Sequence, residues 1–302
     1  MKTIQSSLRA IVALALALLT ASCALPAITV ERRALMIGIS DYINLPPPSG
    51  PGTDLTYPSV DAIDMKAVLE SSDWVVDNSL MDHAATKAAI QAKFSSFFSA
   101  LPENGTALIY YSGHGTEINE VSYLVPSDYN GDYDNYSQMI SPTELASWVN
   151  DSIATKNVIF IADSCNSGGF VAAGDSSDQI ATPYNPTSDR TIWVTPLPTI
   201  AKFAELLSLN AKATGNLDMI TISASGAAEL SYETGALQNG VFTHFLLDAA
   251  TKGDVNNDGF VSCTEAYSYA ARRVDSYWND SRSSGDGFYP HITGGWRDLA
   301  LF

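Results

Sequence analysis

Basic residues are scarce in this chain: 16 Lys and Arg stand against 33 Asp and Glu, a formal net charge of −17. That balance argues against nucleic acid and against docking on anionic lipid, and it would attract a basic substrate. Cysteine is scarcer, with only Cys23, Cys165 and Cys263 among 302 residues, so a disulfide framework is excluded. With Cys23 assigned to a leader, a single Cys165–Cys263 bridge is the most the chain allows. No internal repeat or low-complexity run is visible, and the apolar stretch Ile11 to Leu19 is too short to cross a bilayer comfortably. What remains is 46% hydrophobic and 16% charged, a composition that packs a globular core.

The first residues read as a targeting segment. Lys2 and Arg9 supply the positive region, Ile11 to Leu19 the apolar one, and Thr20-Ala21-Ser22-Cys23 follows. Small residues before a cysteine resemble a bacterial lipobox, with Thr20 where Leu is usual. Residues 1–23 are therefore expected to be a signal peptide with Cys23 as the lipidated residue; ordinary cleavage near Ala21 or Ala24 is the alternative. The expected location is outside the cytoplasm, as a lipoprotein of the bacterial periplasm or outer membrane, or secreted. Membrane contact would come only through the lipid. Residues 24–32 read as a linker, and residues 33–302 as one domain.

Within that domain, strands and helices alternate. Buried strands are expected at Arg33 to Ile39, Trp74 to Leu80, Thr106 to Tyr111, Val158 to Ala162 and Met219 to Ser223, with a short one at Val121 to Val125. Helices are expected at Val60 to Leu69 (inward face Ile63, Ala67 and Val68), Lys87 to Leu101, Pro142 to Val149, Ile200 to Leu209, Val241 to Ala250 and from Glu265 to about Trp278. A last strand is expected at Asp298 to Phe302. Such alternation predicts an α/β fold with a mostly parallel, doubly wound sheet flanked by helices.

Two of these strands end in reactive residues flanked by glycine. TALIYY runs into Ser112-Gly113-His114-Gly115, and NVIFIA runs into Asp163-Ser164-Cys165-Asn166-Ser167-Gly168-Gly169. Open α/β sheets hold ligands at the carboxyl ends of their strands. A thiol attacks a carbonyl as thiolate, and an adjacent imidazole can take its proton and return it to the leaving amine. The N–H groups of Gly115 and Cys165 could hold the oxyanion. A lone cysteine is commonly a buried packing residue; a histidine at a matching strand end favours the catalytic reading.

YYSGHG (110–115) and DSCNSGG (163–169) resemble the two signature segments of the caspase-like cysteine peptidases, particularly the metacaspase type. The 51 residues from His114 to Cys165 agree with the interval of about 50 in caspases. RALMIGIS, VDAIDMKAVL, YLVPSD, SASGAAELSYE and GVFTHFLLDA follow in family order over residues 33 to 302. The resemblance implies a caspase-like fold and thiol peptidase activity, with Cys165 as nucleophile and His114 as general base and acid. Asn166 departs from the histidine frequent after the metacaspase cysteine. The resemblance also implies that Asp163 lines the pocket for the residue before the cleaved bond and selects Arg or Lys. Asp61 matches that family's second acidic position, although the Cys-Val-Asn run usual before it is missing. An ordinary first-turn aspartate is the other reading of Asp61. The expected partner is a peptide or protein with a basic residue before the cleaved bond. Self-cleavage after Arg190 or Lys212 would follow from the same specificity.

Residues 254–265 match a twelve-residue EF-hand loop at each diagnostic position. Asp254, Asn256 and Asp258 offer oxygens, Gly259 allows the turn, Phe260 offers its carbonyl, Ser262 would act through water and Glu265 would chelate from the next helix. Calcium is therefore the expected ion, serving as a clamp between two helices; the chemical step needs no cofactor. The alternative to a peptidase is a calcium-stabilised binding or scaffold protein of the same fold without turnover.

Overall fold

A computed structural model describes residues 31–45, 54–118, 121–132, 135–150, 155, 157–164, 218–225, 230–280, 287–294 and 298–302. The leader, Cys23, Cys165 to Gly169, the helix expected at Ile200 to Leu209, and both Arg190 and Lys212 lie outside the described residues. The central strands are those with unbroken apolar runs. They are β1 (Arg32–Gly38), β4 (Thr106–Ser112), β7 (Asn157–Asp163) and β8 (Asp218–Ser223). All seven residues of β4 are buried, as a strand covered on both faces requires. Two fragments, β2 (Val75–Val76) and β3 (Leu80–Met81), pair with β1 where one strand from Trp74 to Leu80 was expected. Asp77 breaks the run by facing Arg33 and Lys93 as an ion-pair partner.

With β11 at His291–Gly294, the sheet order is β11-β8-β7-β4-β1-β2, with β3 also on β1. Every pairing is parallel except that of β11, which runs antiparallel to β8. This corrects the expected closing strand at Asp298 to Phe302. That segment makes a single bridge from Ala300 to Ser262 and ends buried under Arg32, which donates to the Ala300 and Leu301 carbonyls. The small hairpin of β5 (Gly115–Ile118) and β6 (Val121–Leu124) stands apart from the main sheet. Arg32, assigned to the linker above, is the first residue of β1, and the folded unit runs from Glu31 to Phe302.

Strand alternation divides the core into two layers. Ala107, Ile109, Tyr111, Val158 and Phe160 face α2 (Lys87–Ser99), which adds Ile90, Phe94, Phe97 and Phe98, and α3 (Pro142–Asn150), which adds Leu145. Burying each of these large side chains is worth about 1.5–3 kcal/mol. Leu108, Tyr110, Ile159 and Ile161 face the opposite layer. There lie α1 (Pro58–Ser71), α4 (Val241–Lys252) and α5 (Cys263–Val274). Thr86 caps α2 by accepting from Ala89 N–H, and Ser262 with Glu265 forms a capping box on α5.

Helix α1 turns Ile63 and Ala67 of its expected face to solvent, and only Val68 packs against the core. Ile63 is 55% exposed, while Asp61, Ala62, Met65 and Leu69 point inward. The rotation puts a carboxylate rather than an isoleucine over the end of the sheet. Gly38 permits the close approach, since a Cβ there would meet the Pro58 carbonyl at 2.5 Å and the Ala62 Cβ at 2.7 Å. The chain leaves β1 toward one edge and returns through β4 on its other side. The order therefore reverses between β1 and β4, where α/β sheets open a crevice at their carboxyl ends.

Candidate active site

The histidine turn grows from β4 directly beside the end of β7. Ser112 is the register partner of Asp163, and Gly113 N–H continues the pairing by donating to the Asp163 carbonyl at 3.2 Å. His114 follows, half-buried, with its peptide groups held on both sides. Its N–H donates to the Tyr42 hydroxyl at 2.7 Å, and its carbonyl accepts from Tyr111 at 2.7 Å and from Val125 N–H at 3.1 Å. β7 ends at Asp163 and the described chain continues through Ser164, so Cys165 is the next residue along, just outside it. Cys263, the other cysteine of the domain, is a free and fully buried thiol whose pKa burial pushes well up.

The two acids expected to read a basic side chain come together at the same edge. Asp61 is 1% exposed and Asp163 4%. Asp61 accepts from Ser112 Oγ at 2.9 Å, Asn239 Nδ2 at 3.0 Å and Gly240 N–H at 2.9 Å. Asp163 accepts from Ser231 Oγ at 2.6 Å and from Thr243 through Oγ1 at 2.7 Å and N–H at 3.2 Å. Gly240 sits between them, because a Cβ there would lie 2.5 Å from Asp163 Oδ2 and 3.0 Å from Asp61 Oδ2. Burial first, and the neighbouring Asp163 charge second, push Asp61 up to about 8. Burial also raises Asp163, against the pull of Ser231 and Thr243. Two carboxyls so placed do not both ionise at neutral pH, and the pair holds a proton.

Sequence reasoning did not find the donors around these acids. Ser231, Asn239, Gly240 and Thr243 come from the β9 (Glu233–Thr234) and β10 (Asn239–Gly240) hairpin, its lead-in and the start of α4. No periodicity links them to Asp61, some 178 residues earlier in the Asn239 case. Only the small polar residues at the head of an otherwise apolar helix hint at them. Glu233 adds support by accepting from the Thr56 and Tyr57 N–H groups, which fixes the entry to α1.

The loop between α4 and α5, which carries the residues expected to hold calcium, turns sharply at two positions. Asn257 and Gly259 take positive φ values of 59° and 90°. Asp254 accepts from the N–H groups of Asp258 and Gly259, Asn256 from Asp258, and Asp258 from Phe260. Glu265 instead turns to Ser262 N–H and Val255 N–H. Among the described residues no three His, Cys, Asp or Glu side chains converge as a metal cluster. The loop's donors are nonetheless all hard oxygens, the set calcium takes.

Solved structures share this fold. Protein GSU0716 from Geobacter sulfurreducens aligns with a TM-score of 0.53 at 17% identity, covering 88% of this chain and 93% of its own. Caspase-1 from Spodoptera frugiperda aligns with a TM-score of 0.55 at 10% identity, covering 89% of each chain. No curated protein matches the sequence. The family model for the caspase domain matches residues 31–285. With that span including the whole parallel sheet up to α5 and both acids at its carboxyl edge, the chain belongs to the caspase-domain family and is cysteine peptidase-like in function.

Proposed function

We propose that the protein is a cysteine endopeptidase that cleaves after Arg or Lys, with Cys165 as nucleophile and His114 as general base and acid. The observation that carries this reading is the register of β4 and β7. Ser112 and Asp163 are paired, so the histidine and cysteine each stand two residues beyond a matched position on neighbouring parallel strands. His114 would take the thiol proton as sulfur attacks the carbonyl and would return it to the leaving amine. Gly115 opposes Leu124, whose own N–H goes to Ile140, while Val125 N–H goes to His114. The alternation of an antiparallel ladder then turns Gly115 N–H away from β6, toward the oxyanion that it and Cys165 N–H would hold. Asp61 and Asp163 would receive the substrate guanidinium or ammonium as a charge-assisted pair, exchanging their shared proton for its charge.

In the same reading the protein is exported and anchored through Cys23, and its 254–265 loop binds calcium away from the reacting atoms. Asp254, Asn256, Asp258, the Phe260 carbonyl, Ser262 and Glu265 would hold the ion, which supplies rigidity between α4 and α5. The test is hydrolysis of Arg-, Lys- and Asp-terminated fluorogenic peptides by wild type, Cys165→Ala and His114→Ala. Basic peptides should be cleaved by wild type alone. Turnover no higher than that of Cys165→Ala would leave a binding protein of this fold, and a preference for Asp would overturn the pocket assignment.

A further inference from the structure

Tyr110 and Tyr111 are consecutive in β4, so their side chains leave opposite faces of the sheet. Tyr110 reaches Thr243 Oγ1 at 2.5 Å, behind the acidic pair. Tyr111 goes the other way and donates to the carbonyls of His114, at 2.7 Å, and Val125, at 3.0 Å. From the loop after β1, the Tyr42 hydroxyl accepts from His114 N–H at 2.7 Å. Carbonyls only accept, so the Tyr111 proton is committed to them. The two tyrosines form a clasp: Tyr42 takes the His114 N–H, and Tyr111 gives to the His114 carbonyl.

The clasp is buried and tightly fitted. Both tyrosines are 1% exposed, and burial holds the Tyr42 phenol well above its ordinary pKa. A Cβ on Gly113 would lie 2.8 Å from the Tyr111 hydroxyl and 2.9 Å from that of Tyr42. No side chain fits there. The Tyr42 ring also lies beside the His114 imidazole, with centroids 4.9 Å apart and planes tilted by 41°.

We propose that Tyr42 and Tyr111 are positioning residues, which fix both peptide groups of His114 and thereby aim its imidazole. This rests on the reading of His114 as the proton-transfer group. Releasing either peptide group frees the histidine turn, and a displacement of about 1 Å at a reacting group can cost on the order of 100-fold in rate. Tyr42→Phe and Tyr111→Phe each remove one hydroxyl and keep the aromatic volume. Each releases one side of the clasp, so one folded variant is enough. Tyr267→Phe serves as control, since it deletes a comparable tyrosine-to-carbonyl bond, to Pro290 at 3.2 Å, from α5.

Two measurements separate positioning from packing. In protein carrying carbon-13-labelled histidine, the His114 signal is identified by its loss in His114→Gln. It should shift or broaden in both Tyr42→Phe and Tyr111→Phe and stay in place in Tyr267→Phe. On basic peptides, kcat should fall at least about 10-fold in the two clasp variants, with KM within twofold of wild type and Tyr267→Phe close to wild type in both. A displaced His114 signal in a protein that cleaves no peptide would sink the peptidase reading while upholding the positioning role. An unchanged His114 signal in the clasp variants, or, where wild type cleaves, a kcat no lower than that of Tyr267→Phe, would overturn the proposal.

Discussion

At the residue scale, the most informative group is Asp61. Its carboxyl titrates near 8 in the folded protein and near 3.8 as an ordinary aspartate, so the native state holds a proton that the unfolded chain releases. A raised folded pKa means this proton favours folding below about pH 4 and loses its effect as pH climbs toward 8. Stability should therefore fall across that window by up to about 1.4 kcal/mol per pH unit from this site. Asp61→Asn keeps the volume and removes the titration. Denaturant melts at pH 5 and pH 8 should show a smaller loss in the variant than in wild type, and parallel losses would refute the shared proton. The position of Asp61 as a candidate was legible from its motif. Its inward face was not, because Ile63 and Ala67 carry the stronger apolar signal and the helix is rotated by polar contacts with Ser112, Asn239 and Gly240. Local rules fail most often where a site overrides them.

At the element scale, the β10 strand works as the back wall of the acidic pair. Gly240 donates its N–H to Asp61 and leaves no room for a methyl group against Asp163. Gly240→Ala should cost about 1–3 kcal/mol of stability through overpacking and should raise KM for basic peptides more than it lowers kcat. A variant as stable and as active as wild type would show that the wall yields. The long strands and helices were readable from their runs of apolar residues, since β1, β4, β7 and β8 are each covered on two faces. The short elements were not. β2, β3, β9 and β10 span two residues each, and a strand that short is defined by the neighbour it pairs with rather than by its own composition. The β5–β6 hairpin was half seen, with Gly115 read only as a companion of His114 and β6 expected as a short strand.

At the scale of the whole molecule, the 254–265 loop joins the last helix pair to the chain end. Val261 N–H donates to the Phe302 carbonyl, and Leu301 and Phe302 N–H return bonds to Val261. Arg32 lies over the Trp74 ring at 4.3 Å while donating to the Ser72, Ala300 and Leu301 carbonyls. Ordering the loop would thus brace α5, the terminus and β1 together. If calcium binds there, an excess of 100 times its dissociation constant adds about 2.7 kcal/mol to stability. We expect calcium to raise the melting temperature of wild type, and magnesium to do less. Glu265→Gln can still make the capping box but lacks the chelating charge, and it should lose the calcium effect. An equal rise in wild type and variant would exclude this loop as the site.

By itself, the sequence determined the alternation of strands and helices, the caspase-like order of motifs, and the two glycine-flanked segments that contain His114 and Cys165. These are local properties, written in apolar periodicity and in residue types adjacent along the chain. Only the tertiary structure decided that β4 and β7 are neighbours in a register that pairs Ser112 with Asp163. It alone joined Asp61 to Asp163 around Gly240, and Tyr42 to Tyr111 around His114. The partners in those groups are tens to nearly two hundred residues apart, and their hydrogen bonds form only after the sheet order has brought the chain ends of separate strands to one edge.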